Sequence, residues 1–457
     1  MPALKQFTTE VRLAGPSQNQ RGAASLVVVL MLFFVIALVS AYTSRNLIFE
    51  QRTSVNQYRS TMAFEAAEAG LEWATAMLNG GRIGNNCTEA TAVAASTSFR
   101  QRYLVVDSSG AITPREQVTV AGGKLKPTCV WTGTAWACNC PTDANPALAD
   151  PATPGLHPSF RLRFFQVTSR PGVVRVQVNG CVRMTEECLD DFSDLPKDSE
   201  GRAQHTTLVA LKAAVTTPPA AALTVFGNVL GGGAAVIQNS DPASNGVTIH
   251  AAGAISTTGF TVHGVPGTPV SRTMVATDST LVPNGLTFAE LMGPPTVPLN
   301  WGRVFGSVFG LMPATYREQP AARVLNCPNT GCRTALTDLV AANPGRVIWI
   351  PGDLVLDSAG DVGSLPNAAD PTVAGAAVLV VEGRVRFLTP GVKIFGVVYA
   401  RSGNWEGSGT ITGAAMVEGD FAAAASPTVI YDQSVINAAR LSSGSFVPMQ
   451  GDWKDFK

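Results

Sequence analysis

Eight cysteines are the residues of this chain best suited to chemistry, and their spacing decides which kind. Cys129, Cys138 and Cys140 form a Cys-x8-Cys-x-Cys run which, with Cys87, admits a zinc cluster. The Cys-x2-Cys knuckle of most structural zinc sites is missing, so oxidation to disulfides is the better reading. Cys181 with Cys188, and Cys327 with Cys332, are near enough in sequence to close small loops. Cys87, Cys129, Cys138 and Cys140 supply two further bonds whose connectivity the sequence leaves open. Such pairing belongs to an oxidising compartment.

Other reactive residue types do not converge. His157, His205, His250 and His263 are scattered. His250 and His263 could align on neighbouring rungs of a repeat, yet no carboxylate or nucleophile stands beside them. Gly231-Gly232-Gly233 lacks the Lys-Ser/Thr that completes a phosphate loop. Asp353, Asp357 and Asp361 recur every fourth residue, but with Pro351-Gly352 and Gly360 they read as turn residues. The acidic run Glu186-Glu187-Cys188-Leu189-Asp190-Asp191, with Asp194, lacks the alternating order of a calcium loop and reads as a solvated turn. No catalytic residue, metal or cofactor is implied, and an enzyme is not expected. A polysaccharide lyase or hydrolase stays open by fold analogy alone; such sites need acids clustered on one face with a catalyst, and the sequence offers no such cluster.

The bulk of the chain bounds the framework that must carry these residues. A length of 457 has room for two or three domains. The formal net charge is zero, so nothing draws the chain toward nucleic acid, and no nucleic acid partner is expected. Only 14% of residues are charged, while 44 Gly and 30 Pro suit a turn-rich β protein better than a helical enzyme.

The N-terminus follows different rules. Lys5, Arg12 and Arg21 precede Gly22, and the twenty residues from Ala23 to Tyr42 carry no charge. Twenty helical residues rise roughly 30 Å, the thickness of a bilayer core. A basic leader stays in the cytoplasm, which places every cysteine on the far side. A cut after Val39-Ser40-Ala41 would make the run a secretory signal, but the run exceeds the usual length and the helical pattern continues past that point. A plain signal anchor also fits. Further on, Ile48, Val55, Met62, Ala66, Ala69, Trp73 and Met77 form one apolar stripe at helical spacing, and Gly80-Gly81 supplies a stop. Glu65, Glu68 and Glu72 share a face and read as solvated.

Three phrases in this region carry a resemblance: Gln20-Arg21-Gly22-Ala23-Ala24-Ser25, then Glu50-Gln51-Arg52, then Ala63-Phe64-Glu65-Ala66-Ala67-Glu68-Ala69-Gly70-Leu71. Over residues 18–80 the chain resembles the PilX N-terminal family of minor pilins. The resemblance implies that a prepilin peptidase cuts after Gly22 and exposes Ala23, and that the helix packs against other pilins. It further implies a single-pass inner-membrane protein with a cytoplasmic N-terminus and a periplasmic bulk, extracellular once assembled into a pilus. Most major pilins carry Glu five residues after the cut, where this chain has Val27. A buried carboxylate would need the free amine of a neighbour, and Val27 cannot offer that pairing. The departure suits a first-placed tip or priming subunit better than a repeated shaft subunit.

Behind the helix the periodicity changes. Phe160 to Val167 and Val173 to Val178 alternate across Pro171-Gly172 and predict an antiparallel hairpin, and Thr206 to Leu211 predicts a later strand. Thr113 to Pro154 reads as a decorated loop. After Thr217-Pro218-Pro219 come short apolar strands separated by Gly, among them Leu223 to Val229, Ala376 to Val381, Val397 to Ala400 and Ala414 to Glu418. Comparable points recur every 17 to 20 residues, as in Gly396-Val397-Val398-Tyr399 and Gly413-Ala414-Ala415-Met416. That pattern predicts stacked parallel rungs, with an antiparallel sandwich as the rival. A helix is expected from Thr334 to Ala342.

The expected fold class is therefore α+β and pilin-like in the N-terminal part, a long transmembrane and amphipathic helix plus an antiparallel sheet, followed by a mainly-β domain built as a parallel β-helix or solenoid. The domains are expected at 1–22 (leader), 23–80 (helix), 81–216 (β head with disulfide-bearing loops) and 220–457 (solenoid with an insertion near 270–343). The expected function is that of a minor pilin-like subunit of a type IV pilus, acting in assembly near the tip. Its partners would be other pilins, the prepilin peptidase and the inner membrane, with a host surface or polysaccharide met by the C-terminal domain. A pseudopilin-like component of a secretion system, or a static membrane-anchored envelope protein with a carbohydrate-binding β-helix, are the alternatives.

Overall fold

The computed structural model describes residues 20–90, 96–107, 109–115, 117–118, 124–142, 150–190, 201–293, 299–328, 330–365, 375–424 and 426–449. The chain divides into two compact units, Met1–Thr61 and Met62–Lys457. A single helix, Gln20–Leu78, enters both.

In the first unit the helix is exposed all round. Leu26, Met31, Phe33 and Phe34 are 62, 70, 70 and 64% exposed, and from Ala24 onward the helix is long and apolar enough to cross a membrane. Ile48 and Val55, members of the apolar stripe read from spacing, are exposed here as well.

In the second unit the helix gains a partner. Its inward face is Ala63, Ala67, Gly70, Leu71, Ala74 and Leu78, small residues punctuated by leucine every seven positions, while Glu65, Glu68 and Glu72 face outward. This face joins one core with Phe99, Phe160, Leu162, Val176 and Val178. The predicted hairpin is present as Ser159–Gln166 and Val173–Cys181, with Phe164 opposite Val176 and Leu162 opposite Val178. Alternation explains it, since every second side chain meets the helix. Arg202–Ala213 pairs on one side and Thr128–Trp131 with Trp136–Asn139 on the other. A strand from the far end of the chain, Gly444–Pro448, completes this six-stranded antiparallel sheet beside Arg202–Ala213. Asn79, just past the helix, locks that strand from two directions. Its side-chain amide donates to Phe446 O (2.8 Å), and Phe446 N donates to its Oδ1 (2.9 Å).

Residues from Leu223 onward form parallel rungs, which rules out the antiparallel sandwich. Arg323, Ile348, Leu379, Val398, Ala415, Leu223, Ile249 and Met274 hold equivalent places on eight successive strands of one face. A second face stacks Val362, Ile394, Ile411, Val429, Ile237 and Val262 in an aliphatic column. The first five are fully buried, and each contributes about 1.5–3 kcal/mol by leaving water. A shorter third face pairs Leu354–Leu356 with Val385 to Phe387, and Gly403 to Trp405 with Phe421–Ala423. Gly396 and Gly413 turn the chain between faces at φ +156° and +131°, and a Cβ on Gly413 would lie 2.1 Å from Gly396 O.

The spatial order of rungs is not the chain order. The first strand, Leu223–Val225, sits between the rung segment Ala415 to Val417 and the strand Ile249–Ala251. Rungs therefore run outward from a seam where the start of the domain meets its last long strand. Only the steps near the seam are short, 17 residues from Val397 to Ala414 and 19 from Val378 to Val397. From Val347 to Val378 the step is 31, which blurs the period in sequence. Met274–Val275 and Ala322–Val324 are themselves rungs. The expected helix is present as Cys332–Ala342 and covers the edge strands Leu354–Leu356 and Gly360–Val362. Two helices, Leu299–Phe309 and Pro313–Arg317, bring Phe305, Phe309 and Tyr316 onto Trp349 and Tyr399 of the first face.

Gly180 permits the close helix-to-sheet approach in the head. A Cβ there would lie 2.1 Å from Ala63 O and 2.5 Å from Ala67 N, both backbone atoms. Gly180→Ala is expected to lower unfolding free energy by about 1–3 kcal/mol. Denaturant titration followed by tryptophan fluorescence measures this, and an unchanged midpoint would show that the helix is not held this tightly.

Candidate functional site

The apolar helix is the first candidate site, and it offers surface instead of catalytic groups. The helix is described from Gln20, so Gly22 and Ala23 lie inside it, and the preceding residues 1–19 of the leader lie outside the described residues. Val27 is 54% exposed within the apolar run. Exposed aliphatic and aromatic side chains on every side of a helix require either lipid or other apolar helices.

The eight cysteines form four disulfides: Cys87–Cys140, Cys129–Cys138, Cys181–Cys188 and Cys327–Cys332. None is left free, so the zinc arrangement has no thiolates to use. Cys129 and Cys138 face each other across a hairpin, and Cys87–Cys140 ties the loop after the long helix to that hairpin. The bond closing 53 residues removes about 4 kcal/mol of chain entropy from the unfolded state, the one closing five about 2.

The histidines are separated. His250 lies on the first face of the solenoid and His263 on the second, so they are not neighbours. His250 does have a carboxylate partner that sequence spacing concealed: Asp278 Oδ2 is 2.7 Å from its Nε2. Main-chain Thr280 N–H, His250 and the Thr280 hydroxyl together hold Asp278 below the usual carboxylate range. His205 is buried edge-on to Phe64, and the His157 ring nitrogens lie 3.2 and 2.8 Å from the carbonyls of Trp131 and Thr153. Asp353 pairs with Arg384 at 2.9 Å, and Asp357 accepts the main-chain N–H groups of Gly331 and Arg333. The Asp361 carbonyl accepts the Thr337 hydroxyl. Asp353 and Asp357 thus flank the strand Leu354–Leu356 at its turns, whereas Asp361 is an exposed residue of the strand Gly360–Val362 and not a turn residue. Gly231 and Gly232 form a corner where Gly232 N donates to Thr258 O. Among the described residues, no three His, Cys, Asp or Glu side chains converge as metal ligands.

Within the acidic run, Glu186–Asp190 is a short helix, and Asp191 and Asp194 lie outside the described residues. Asp190 receives Lys126 at 2.8 Å and Arg161 at 2.6 Å. Burial raises its carboxyl, but the hydrogen bonds and charges of these two cations prevail and lower it to about 2.

Several buried charged groups escaped sequence reasoning, Arg100 and Glu418 among them. Arg100 is 5% exposed and donates to Leu78 O (2.9 Å), Gly345 O (3.1 Å) and Gly444 O (3.0 Å), with Phe446 5.0 Å from its guanidinium carbon. Burial lowers it to about 10, and the Leu78 carbonyl, at the negative end of the long helix, offsets part of that cost. Glu418 is 7% exposed. Its Oε1 accepts the Tyr399 hydroxyl at 2.6 Å, while its Oε2 lies 3.9 Å from Arg401 Nε. Burial raises Glu418 to about 7 against the Tyr399 hydrogen bond and the Arg401 charge, with Glu382 adding to the rise. A signal for this pair was present: Val381-Glu382-Gly383 and Val417-Glu418-Gly419 end two rungs of one face identically.

Residues 21–72 match the family model described as PilX N-terminal. That span holds the Gly22-Ala23 junction and the exposed apolar run, so the chain carries a PilX-type N-terminal segment. No curated protein matches the chain. Among solved structures, the competence-associated pilin ComZ from Thermus thermophilus aligns at 11% identity over 86% of this chain and 97% of that one. Its TM-score of 0.22 is too low for a common fold to be argued from it.

Arg100→Met removes a donor from the carbonyls of Leu78, Gly345 and Gly444, of which Gly345 O keeps the Gly444 main-chain N–H, and is expected to cost about 2–3 kcal/mol, read as a lowered denaturation midpoint. A loss near zero would mean that the carbonyls find other donors. For Asp190, whose folded value lies below the ordinary one, the contribution is present above pH 4 and lost as pH falls toward 2. Because its side chain is 45% exposed, the effect is no more than about 1 kcal/mol. Asp190→Asn should lower the midpoint slightly at pH 7 and leave it unchanged near pH 2; an equal loss at both would assign its role to shape.

Proposed function

We propose that this chain is a minor pilin-like subunit of a type IV pilus. The observation that carries the reading is the coincidence of the PilX N-terminal match with a helix whose apolar residues are exposed on every side. In this reading the helix is held in the inner membrane with its N-terminus cytoplasmic and its bulk periplasmic. A prepilin peptidase cuts after Gly22, and Ala23 becomes the mature N-terminus.

The finer assignment is to assembly or priming near the filament tip. Val27 supports it, since a side chain without charge cannot pair with a neighbour's terminal amine as a repeated subunit would require. The solenoid is then displayed outward as a surface for binding or adhesion, to a host surface or polysaccharide. The four disulfides suit the oxidising compartment in which this part would fold. The division into a leader, a helix, a β head and a solenoid is part of the same proposal.

Mass spectrometry of the mature chain tests the first step, with Ala23 expected at the N-terminus. A chain beginning near Met1 would leave a static anchor as the better description. Sheared filaments should contain the protein in small amounts relative to the major subunit. Its confinement to membranes despite cleavage would point to a pseudopilin-like role.

A further inference from the structure

The two helices Leu299–Phe309 and Pro313–Arg317 form a strap over the first face of the solenoid, and its seat contains charge. Phe305 and Phe309 lie 5.5 and 5.1 Å from the Tyr399 ring, edge to face, and keep water from it. The hydroxyl of the same tyrosine bonds Glu418. Glu382, Arg401 and Glu418 follow the ends of three successive strands, each turn held by a main-chain bond to the previous rung. They therefore form one column in which Arg401 stands between two carboxylates. Glu382 accepts Trp349 Nε1 at 2.7 Å and lies 3.9 Å from Arg317, the last residue of the strap. The groups facing Glu418 are thus Tyr399 and Arg401 from one rung, Glu382 from the next, and Arg317 beyond it. Its second oxygen, Oε2, is buried and receives no hydrogen bond.

We propose that Glu418 is a proton-operated latch that couples seating of the 299–317 strap to the protonation of its own carboxyl group. With the strap seated, the carboxyl is dry and its one cation stands off at 3.9 Å, so the neutral acid is favoured. With the strap lifted, water reaches the site and the carboxylate is favoured. Proton binding and strap seating are linked and each must favour the other. The strap is therefore held most firmly in acid and loosens as pH rises to neutrality. The Glu382 carboxyl, bonded by Trp349 in the same column, adds to the effect by disfavouring a negative charge on Glu418.

Hydrogen exchange of the full chain in detergent, corrected for intrinsic exchange rates, tests this. Protection of peptides covering 302–317 should fall about tenfold per pH unit between pH 5 and 7 and level off above it, as loss of one proton requires. Peptides from Val173–Cys181 in the head should show no such slope. Glu418→Gln should hold the strap protected at every pH, and Tyr399→Phe, which removes the bond favouring the carboxylate, should move the levelling-off point to higher pH. A slope of equal size in the head, or one that persists in Glu418→Gln, overturns the proposal. Should the glutamine variant fail to fold, an unmoved profile in Tyr399→Phe does the same.

Discussion

Three parts of the larger unit meet at the guanidinium of Arg100. Its three donors go to the last turn of the long helix, to the loop at Gly345 that leads into the solenoid strand Val347–Ile350, and to the start of the last strand. A buried cation without a carboxylate is costly, and it is tolerable here because each of its three nitrogens donates to a main-chain carbonyl. Helix end, solenoid entry and C-terminal strand are thus all bonded by one side chain, with Asn79 and the Gly444 N–H to Gly345 O adding to the joint. Gly345 is held to the same geometry, since a Cβ there would lie 2.7 Å from Arg100 Nη1. Arg346, one residue on, is also buried and shares the Pro320 carbonyl with Arg323. Burial, with Arg323 and Arg100 nearby, lowers it to about 8. The joint is strongly cationic and dry, and it relies on carbonyl dipoles.

Much of the architecture was readable because period reports burial. Phe160 to Val178 alternates, and the strands it predicts align with Leu162 against Val178 and Phe164 against Val176. The helix was legible for the same reason, although the register of its buried face was not. Ile48 and Val55 fit a stripe by spacing, yet only from Ala63 onward does the face have a sheet to meet. The solenoid could be read from its short rungs, while steps of 25 and 31 residues elsewhere, one of them holding the helix Cys332–Ala342, break any fixed period.

The charged sites were harder to read, since their meaning depends on residues far apart in sequence. Arg100 meets carbonyls of Gly345 and Gly444, and carbonyls leave no trace in residue type. His250 found its carboxylate 28 positions away, one rung further along, so a search for adjacent acids could not succeed. The Glu-Gly pairs at 382–383 and 418–419 were visible, but only stacking shows that they share a column with Arg401.

The seam of the solenoid sets an order of events. Leu223 pairs with Ala415, and nearby Asn228 with Asp420, at a sequence separation of 192. A chain emerging from its N-terminus first presents residues 223–275 with one strand edge still bare. That edge must wait until residues 413–417 arrive, and an unpaired edge is a template for whatever strand comes first. The domain is consequently finished from its middle, last-made segment against first-made, so a truncation shortly before Gly413 would leave both halves without a common neighbour. Timing of delivery, as much as sequence, thus decides whether the early rungs find the right partner.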